Sequence, residues 1–344
     1  MIRVLIVDDS AVVRKILTEE LSKYKDIEII GTAMDPYVAR DKIVKLRPDV
    51  ITLDLEMPRM DGLSFLAKLM KHYPMPVVVL SSLTPRNSEM AMKALELGAV
   101  EVLGKPGTAY STQNISQHLV RAIRAAASAR IQRLPEKTEA LQSQTGVLLT
   151  HTTHKVIAIG ASTGGTKAIE VVLSGMPVSS PGTVIVQHMP ENFTSSFAKR
   201  LNELCQMEVR EARDNDAVVP GVALIAPGNH HMLLHRSGGN YLVKIKDGPM
   251  VHYQRPSVDV LFQSVAASAG KNAVGVILTG MGADGAKGLL AMKEIGAYTL
   301  AQNEESCIVF GMPKEAIKMG AVDKIVGLAD VSRSIILALQ KEIS

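Results

Sequence analysis

Cysteine is almost missing from this 344-residue chain, which has only Cys205 and Cys307. Two thiols cannot build a disulfide framework, and a reducing compartment is expected. Long apolar runs are missing too: no stretch approaches the ~20 residues of a membrane span, so direct membrane insertion is not expected. The start, Met1-Ile2-Arg3-Val4-Leu5, leads straight into a strand-like run, and cytoplasmic localisation follows as an expectation. Neither sign of charge dominates, since 38 Lys and Arg face 34 Asp and Glu for a formal net charge of +4. No basic run is dense enough to track a phosphate backbone, so no nucleic-acid partner is expected. What is abundant is apolar surface, 47% of residues, in a length sufficient for two domains with separate cores.

Short β-branched runs at 2–7, 27–33, 50–53, 77–80 and 100–103 each precede an amphipathic stretch. Five such units imply a parallel sheet covered on both faces, a doubly wound, flavodoxin-like domain over residues 1–124. Composition then shifts toward alanine, arginine and polar residues without apolar period, which reads as a helix running into a linker, 125–153. Arg121, Arg124, Arg130 and Arg133 read as a solvated helix face and not as a nucleic-acid patch. A second βα series fills 154–344, with strand-like runs at 156–159, 183–187, 222–226 and 274–279. A β-hairpin is expected over 231–246, its apolar runs broken by Arg236-Ser237-Gly238-Gly239-Asn240, and a closing helix over 329–342. The second domain is thus also α/β, doubly wound and Rossmann-like, with a local antiparallel insertion.

Chemistry concentrates at the expected strand ends. Asp8 and Asp9 close the first strand, Asp54 the third, Ser81 follows the fourth and Lys105 the fifth, so one crevice gathers all five. Crowded carboxylates repel, and a hard divalent cation, Mg²⁺ above all, offsets that charge, with Asp8, Asp9 and Asp54 as ligands. One carboxylate can then attack phosphorus while Lys105 and the Ser81 hydroxyl receive the phosphoryl group. Ordinary solvated carboxylates would explain any one of these positions but not the whole set. Residues 2 to about 122 resemble a response-regulator receiver domain, with the phosphoacceptor loop at Leu53-Asp54-Leu55-Glu56-Met57-Pro58-Arg59-Met60-Asp61-Gly62. The resemblance makes Asp54 the phosphorylation site.

Gly160-Ala161-Ser162-Thr163-Gly164 follows the apolar run 155–159, placing a serine on a tight strand-to-helix turn, as in a nucleophile elbow. His188 directly follows the next strand, and Asp284 follows the strand 273–279 through Gly280-Met281-Gly282-Ala283. Three tips of one sheet edge can unite nucleophile, general base and orienting carboxylate. The order Ser, His, Asp departs from that of the α/β-hydrolases, so that fold is not implied. His230, His231 and His235 are rival bases, with His231 near the site, and Asp214 and Asp216 are rival acids in a polar loop. Backbone N–H groups at Met281 and Gly282 could stabilise an oxyanion. Gly280-Met281-Gly282-Ala283-Asp284-Gly285 also fits a dinucleotide-binding pattern, with Glu304 and Glu305 about 20 residues on. That alternative leaves Ser162 and His188 without a role.

Along essentially its whole length the chain resembles the chemotaxis protein-glutamate methylesterases. The matching segments are Ile159-Gly160-Ala161-Ser162-Thr163-Gly164-Gly165, Val186-Gln187-His188-Met189-Pro190, Arg255-Pro256-Ser257-Val258-Asp259, 278–285 and Gly311-Met312-Pro313. Cys307 departs from the serine expected at its position. The resemblance implies hydrolysis of glutamate γ-methyl esters on the cytoplasmic helices of chemoreceptors, with release of methanol, and deamidation of particular receptor glutamines. It implies a chemotaxis histidine kinase as phosphodonor to Asp54, an unphosphorylated receiver that covers the active site, and no cofactor for the esterase reaction. A DNA-binding output domain, the other class that receivers control, lacks support: no helix-turn-helix pattern follows the linker.

Overall fold

The structure, a computed structural model, describes residues 1–82, 84–105, 112–129 and 154–341. The chain separates into two compact units, residues 1–136 and 137–344. From position 130 the expected linker lies outside the described residues.

The first unit alternates β1 (Ile2–Val7), α1 (Ala11–Leu21), β2 (Ile27–Ala33), α2 (Pro36–Leu46), β3 (Val50–Asp54), α3 (Gly62–His72), β4 (Val77–Ser81), α4 (Pro85–Glu96), β5 (Glu101–Gly104) and α5 (Thr112–Ser128). The five strands are all parallel, in the order β2-β1-β3-β4-β5. β3 and β4 are buried at every residue, because helices cover both faces and leave no solvated side to demand alternation. Ser10, Asp35, Asp61 and Thr84 accept backbone N–H bonds at the helix starts, which fixes where each turn ends. Strand order reverses between β1 and β3, so a crevice opens at their carboxyl ends. On α5, Arg124 binds both oxygens of Asp26 at 2.7 and 2.8 Å and stacks over Tyr24. Arg130 and Arg133 lie outside the described residues.

The second unit runs β6 (Val156–Ala161), α6 (Gly165–Ser174), β7 (Gly182–Gln187), α7 (Phe193–Leu204), β8 (Glu208–Glu211), β9 (Val222–Ile225), β10 (His231–Ser237), β11 (Asn240–Lys246), α8 (Val258–Ala269), β12 (Ala273–Ile277), α9 (Ala286–Glu294), β13 (Tyr298–Gln302), α10 (Met312–Lys318), β14 (Lys324–Val326) and α11 (Val331–Lys341). Its main sheet is parallel, in the order β14-β13-β12-β6-β7-β9-β8. Three of these strands, β8, β13 and β14, go beyond the sequence expectation. β8 and β14 are short, charged edge strands, as edges commonly are, and carry no apolar run to mark them. The hairpin expected at 231–246 is present as a separate antiparallel pair, with Ser237 opposite Asn240 and Gly238 at φ 60°. It is tied to α8 by Ser264 and Ser268, which bond the backbone of Leu234. α11 closes the unit by burying Val331, Ile335, Ile336 and Leu339. Strand order reverses between β6 and β12, which places Ser162 and the loop after β12 at the switch point. Among the described residues no helix is long and apolar enough to cross a membrane.

Candidate active site and phosphoacceptor pocket

At the β1/β3 crevice, one oxygen from each of Asp8, Asp9 and Asp54 lies within 4.8 Å of the others. Asp8 and Asp54 are fully buried, while Asp9 is exposed. Lys105 Nζ reaches Asp54 Oδ2 at 2.6 Å and Asp8 Oδ2 at 3.3 Å. Burial pushes the Asp54 carboxyl up to about 6 against the pull of Lys105 and the Glu56 N–H, and burial likewise raises Asp8. Burial acts to lower Lys105, but Asp54 and Asp8 outweigh it and the ammonium is held above its usual value. One lysine therefore serves two buried carboxylates, and three oxygen donors converge beside it. That set suits a hard cation. Ser81 ends β4 one residue beyond the Asp54–Leu80 register pair, with its hydroxyl 3.5 Å from the Ser82 carbonyl.

In the second unit Ser162 sits between β6 and α6, as the turn pattern predicts. Its N–H donates to Thr279 O at 3.0 Å, while its carbonyl accepts from Gly165 N–H at 2.6 Å and Gln187 Nε2 at 2.9 Å. The left-handed residue of the turn is Gly164, at φ 78°, and a Cβ there would fall 2.6 Å from Ile308. Ser162 itself is not at positive φ. β7 ends in register with β6, and His188 N–H donates to Ala161 O at 3.1 Å, so His188 leaves the sheet beside Ser162.

Asp284 and His188 meet directly: Nε2 lies 2.7 Å from Oδ2, and both side chains are buried. The carboxylate is held by the start of α8. Ser257 Oγ and Asp259 N–H donate to Oδ1 at 2.8 and 3.0 Å, and Val258 N–H donates to Oδ2 at 2.8 Å. Burial alone would raise this carboxyl, but His188 and the α8 N–H donors hold it below its ordinary value. A helix N-terminus favours an anion for the same reason. Sequence reasoning missed this cradle, although Ser257 ahead of an apolar helical run was a visible cap signal. With Nε2–H directed at Asp284, His188 Nδ1 is the nitrogen left to accept a proton, and it has no partner among the described residues. The resting structure does not join it to Ser162 Oγ by a hydrogen bond.

The Gly280-Met281-Gly282 loop runs alongside. Gly280 N–H bonds Val309 O at 3.0 Å, and Gly280 O accepts from Gly311 and Met312 at 3.1 and 2.8 Å. A Cβ on Gly280 would fall 2.7 Å from Ser162 Cβ and 2.4 Å from Met312 Sδ. This glycine serves close packing against the serine turn. The N–H groups of Met281 and Gly282 donate to no protein acceptor among the described residues. Of the rival histidines, His230 pairs with exposed Asp247, and His235 is exposed on β10. His231 is buried behind the site, where Nδ1 accepts Ser257 N–H at 3.3 Å and Nε2 donates to Pro249 O at 3.0 Å. Asp214 and Asp216 bond the backbone of Ile245 and Arg213, and Cys307 is buried.

Residues 157–335 match the family model described as CheB methylesterase, and 4–118 match the response regulator receiver domain. The chain belongs to the CheB methylesterase family. A relative from Syntrophus aciditrophicus, named protein-glutamate methylesterase/protein-glutamine glutaminase 2, is 63% identical over 97% of this chain and 98% of its own length. A Salmonella typhimurium protein named protein-glutamate methylesterase/protein-glutamine glutaminase is 56% identical over 97% and 96%. Among solved structures, the CheB methylesterase catalytic domain of Thermotoga maritima aligns at a TM-score of 0.52 and 36% identity, covering 53% of this chain and 97% of that one. The stretch matched by the CheB methylesterase model takes in Ser162, His188, Ser257 and Asp284 together.

Proposed function

We propose that this chain hydrolyses glutamate γ-methyl esters on the cytoplasmic helices of chemoreceptors, releasing methanol, and deamidates particular glutamines there. The reading assigns 1–124 to a receiver domain, 125–153 to a linker and 154–344 to the methylesterase domain, working in the cytoplasm. The observation that carries it is the His188–Asp284 bond of 2.7 Å at the switch point beside Ser162. Names borne by relatives aligned over almost the whole chain support it.

Ser162 Oγ attacks the ester carbonyl as His188 Nδ1 takes its proton, and Asp284 keeps Nε2 protonated and faces the resulting imidazolium. The Met281 and Gly282 N–H groups receive the oxyanion. His188 then protonates the departing methoxide, and a water activated by His188 cleaves the acyl-enzyme to leave glutamate. For a glutamine the leaving group is ammonia, which needs that proton more.

In the receiver, Asp54 accepts a phosphoryl group from a chemotaxis histidine kinase, with Lys105 and Ser81 placed to meet its oxygens. Asp8, Asp9 and Asp54 would hold Mg²⁺, which when bound offsets the charge of the carboxylates and the phosphoryl oxygens. Phosphorylation at Asp54 raises the esterase rate. The test is methanol release from methylated receptor, with and without acetyl phosphate and Mg²⁺. Wild type should respond to the phosphodonor, Asp54→Ala should keep only basal release, and Ser162→Ala should release none. Undiminished release by Ser162→Ala would sink the reading.

A further inference from the structure

Behind Asp284 lies a second buried carboxylate that the reaction above leaves unused. Asp259 is the second residue of α8, two after Ser257, and its N–H is one of the donors to Asp284 Oδ1. Its own Oδ1 accepts Gly288 N–H, from α9, at 2.7 Å, and its Oδ2 meets His252 Nε2 at 3.1 Å. His252 stands in the loop after β11, with its backbone at φ 52° and its side chain 37% exposed. One donor atom from each of His252, Asp259 and Asp284 lies within 4.8 Å of the others. Two histidine–carboxylate pairs, His188–Asp284 and His252–Asp259, thus share the first turn of α8, one facing the nucleophile and one facing solvent. Both oxygens of both carboxylates already receive hydrogen bonds from the protein, which argues against a cation site.

We infer that Asp259 and His252 form a positioning pair for the hydrolysis, Asp259 placing negative charge behind Asp284 and His252 shielding that charge through its hydrogen bond to Asp259 Oδ2. The inference rests on the reading of Ser162, His188 and Asp284 given above. Two carboxylates this close in a buried setting cannot both be cheaply ionised. Asp284, with its four donors, keeps its charge. Asp259 carries the strain: burial first, and then the charge of Asp284, raise its carboxyl above the ordinary value against Gly288 N–H and His252. The other polar groups nearby are bonded elsewhere or exposed. His231 on β10 uses both ring nitrogens on Ser257 and Pro249, Arg255 binds Asn229 and Gly248, and Lys287 on α9 is exposed. The charge felt by a His188 imidazolium through Asp284 is therefore set by the Asp259–His252 pair.

Two substitutions of opposite charge and conserved shape test this in the full chain. Asp259→Asn removes a negative charge, disfavours the imidazolium and should move the His188 titration midpoint, followed by NMR, down by roughly one pH unit. His252→Gln keeps a donor for Asp259 but removes the ring that can carry a positive charge, and should move the midpoint up by a smaller amount. The acid limb of kcat/KM for methanol release should follow each shift, while thermal unfolding midpoints stay close to wild type. Midpoints that stay put, or that shift in the same direction in both variants, overturn the inference and leave a purely structural role. If Asp259→Asn does not fold, His252→Gln decides alone, since every buried bond of Asp259 other than the one to residue 252 is untouched. The underlying reading fails separately, when the wild-type acid limb does not coincide with the His188 titration.

Discussion

Ser257 donates its hydroxyl to Asp284 Oδ1 at 2.8 Å and also caps α8 by accepting Val260 N–H at 3.4 Å. One side chain thereby starts a helix and aims the carboxylate that the helix N-terminus holds. Ser257→Ala should cost about 1 kcal/mol of stability from the lost cap. It should lower kcat on the order of tenfold to a hundredfold with little change in KM, because the loosened group does not touch substrate. Steady-state kinetics alongside a denaturant titration separates the two effects.

Asp284→Asn keeps the shape but offers His188 an amide whose NH₂ can face Nε2, which favours the wrong tautomer of the ring. A fall of ~10³ to 10⁴ in kcat is expected, the scale of such substitutions in serine triads. Asp284 is depressed below its ordinary value, so its contribution to stability is present at neutral pH and is lost as pH falls through the folded-state value. The variant should therefore differ most from wild type in unfolding free energy near neutrality and least in strong acid. Equal kcat at pH 8 would contradict the proposed role.

Short apolar, β-branched runs made all five strands of the first sheet and four of the seven in the second readable from the sequence, because a strand covered on both faces needs no polar alternation. β8 and β14 were not readable, because edge strands carry charge. Ser162, His188 and Asp284 stood out because each follows a strand that ends at the same edge. The Ser257 cradle did not, since its target lies 27 residues away and only the packing of α8 against the β12 loop brings them together. Nor could sequence show that Gly280 is shaped by Ser162 and Met312 and not by a phosphate. The glycine pattern is the same for both.

Gly280→Ala tests that packing. The added methyl would fall 2.7 Å from Ser162 Cβ and 2.4 Å from Met312 Sδ, and neither is a flexible tip with open space behind it. Overpacking of this kind costs about 1–3 kcal/mol, and displacement of the serine by even part of an ångström should lower kcat on the order of a hundredfold. Combining it with Met312→Ala should recover stability more than activity, because the Ser162 contact persists. Recovery of full activity in the double variant would show that Met312 alone sets the constraint.

Asp54 offers a test of the proposed phosphoacceptor pocket that does not depend on phosphorylation. Burial raises its carboxyl from 3.8 to about 6, so the folded protein holds this proton more tightly than the unfolded chain. Folding is therefore penalised as pH rises from about 4 through 6, and the penalty is complete above that, on the order of 3 kcal/mol. Asp54→Asn removes the titration and leaves Lys105 paired with Asp8 at 3.3 Å. The variant should match wild type near pH 4 and be more stable near pH 7.5, followed by thermal or urea unfolding of the full chain. The Mg²⁺ proposed for these carboxylates would bind the folded protein and not the unfolded chain, so it should raise the wild-type midpoint at pH 7.5 with ion concentration. It should do so far less in Asp54→Asn. A variant no more stable than wild type at pH 7.5, with the same response to Mg²⁺, would mean that Asp54 is neither strained by burial nor part of the cation site.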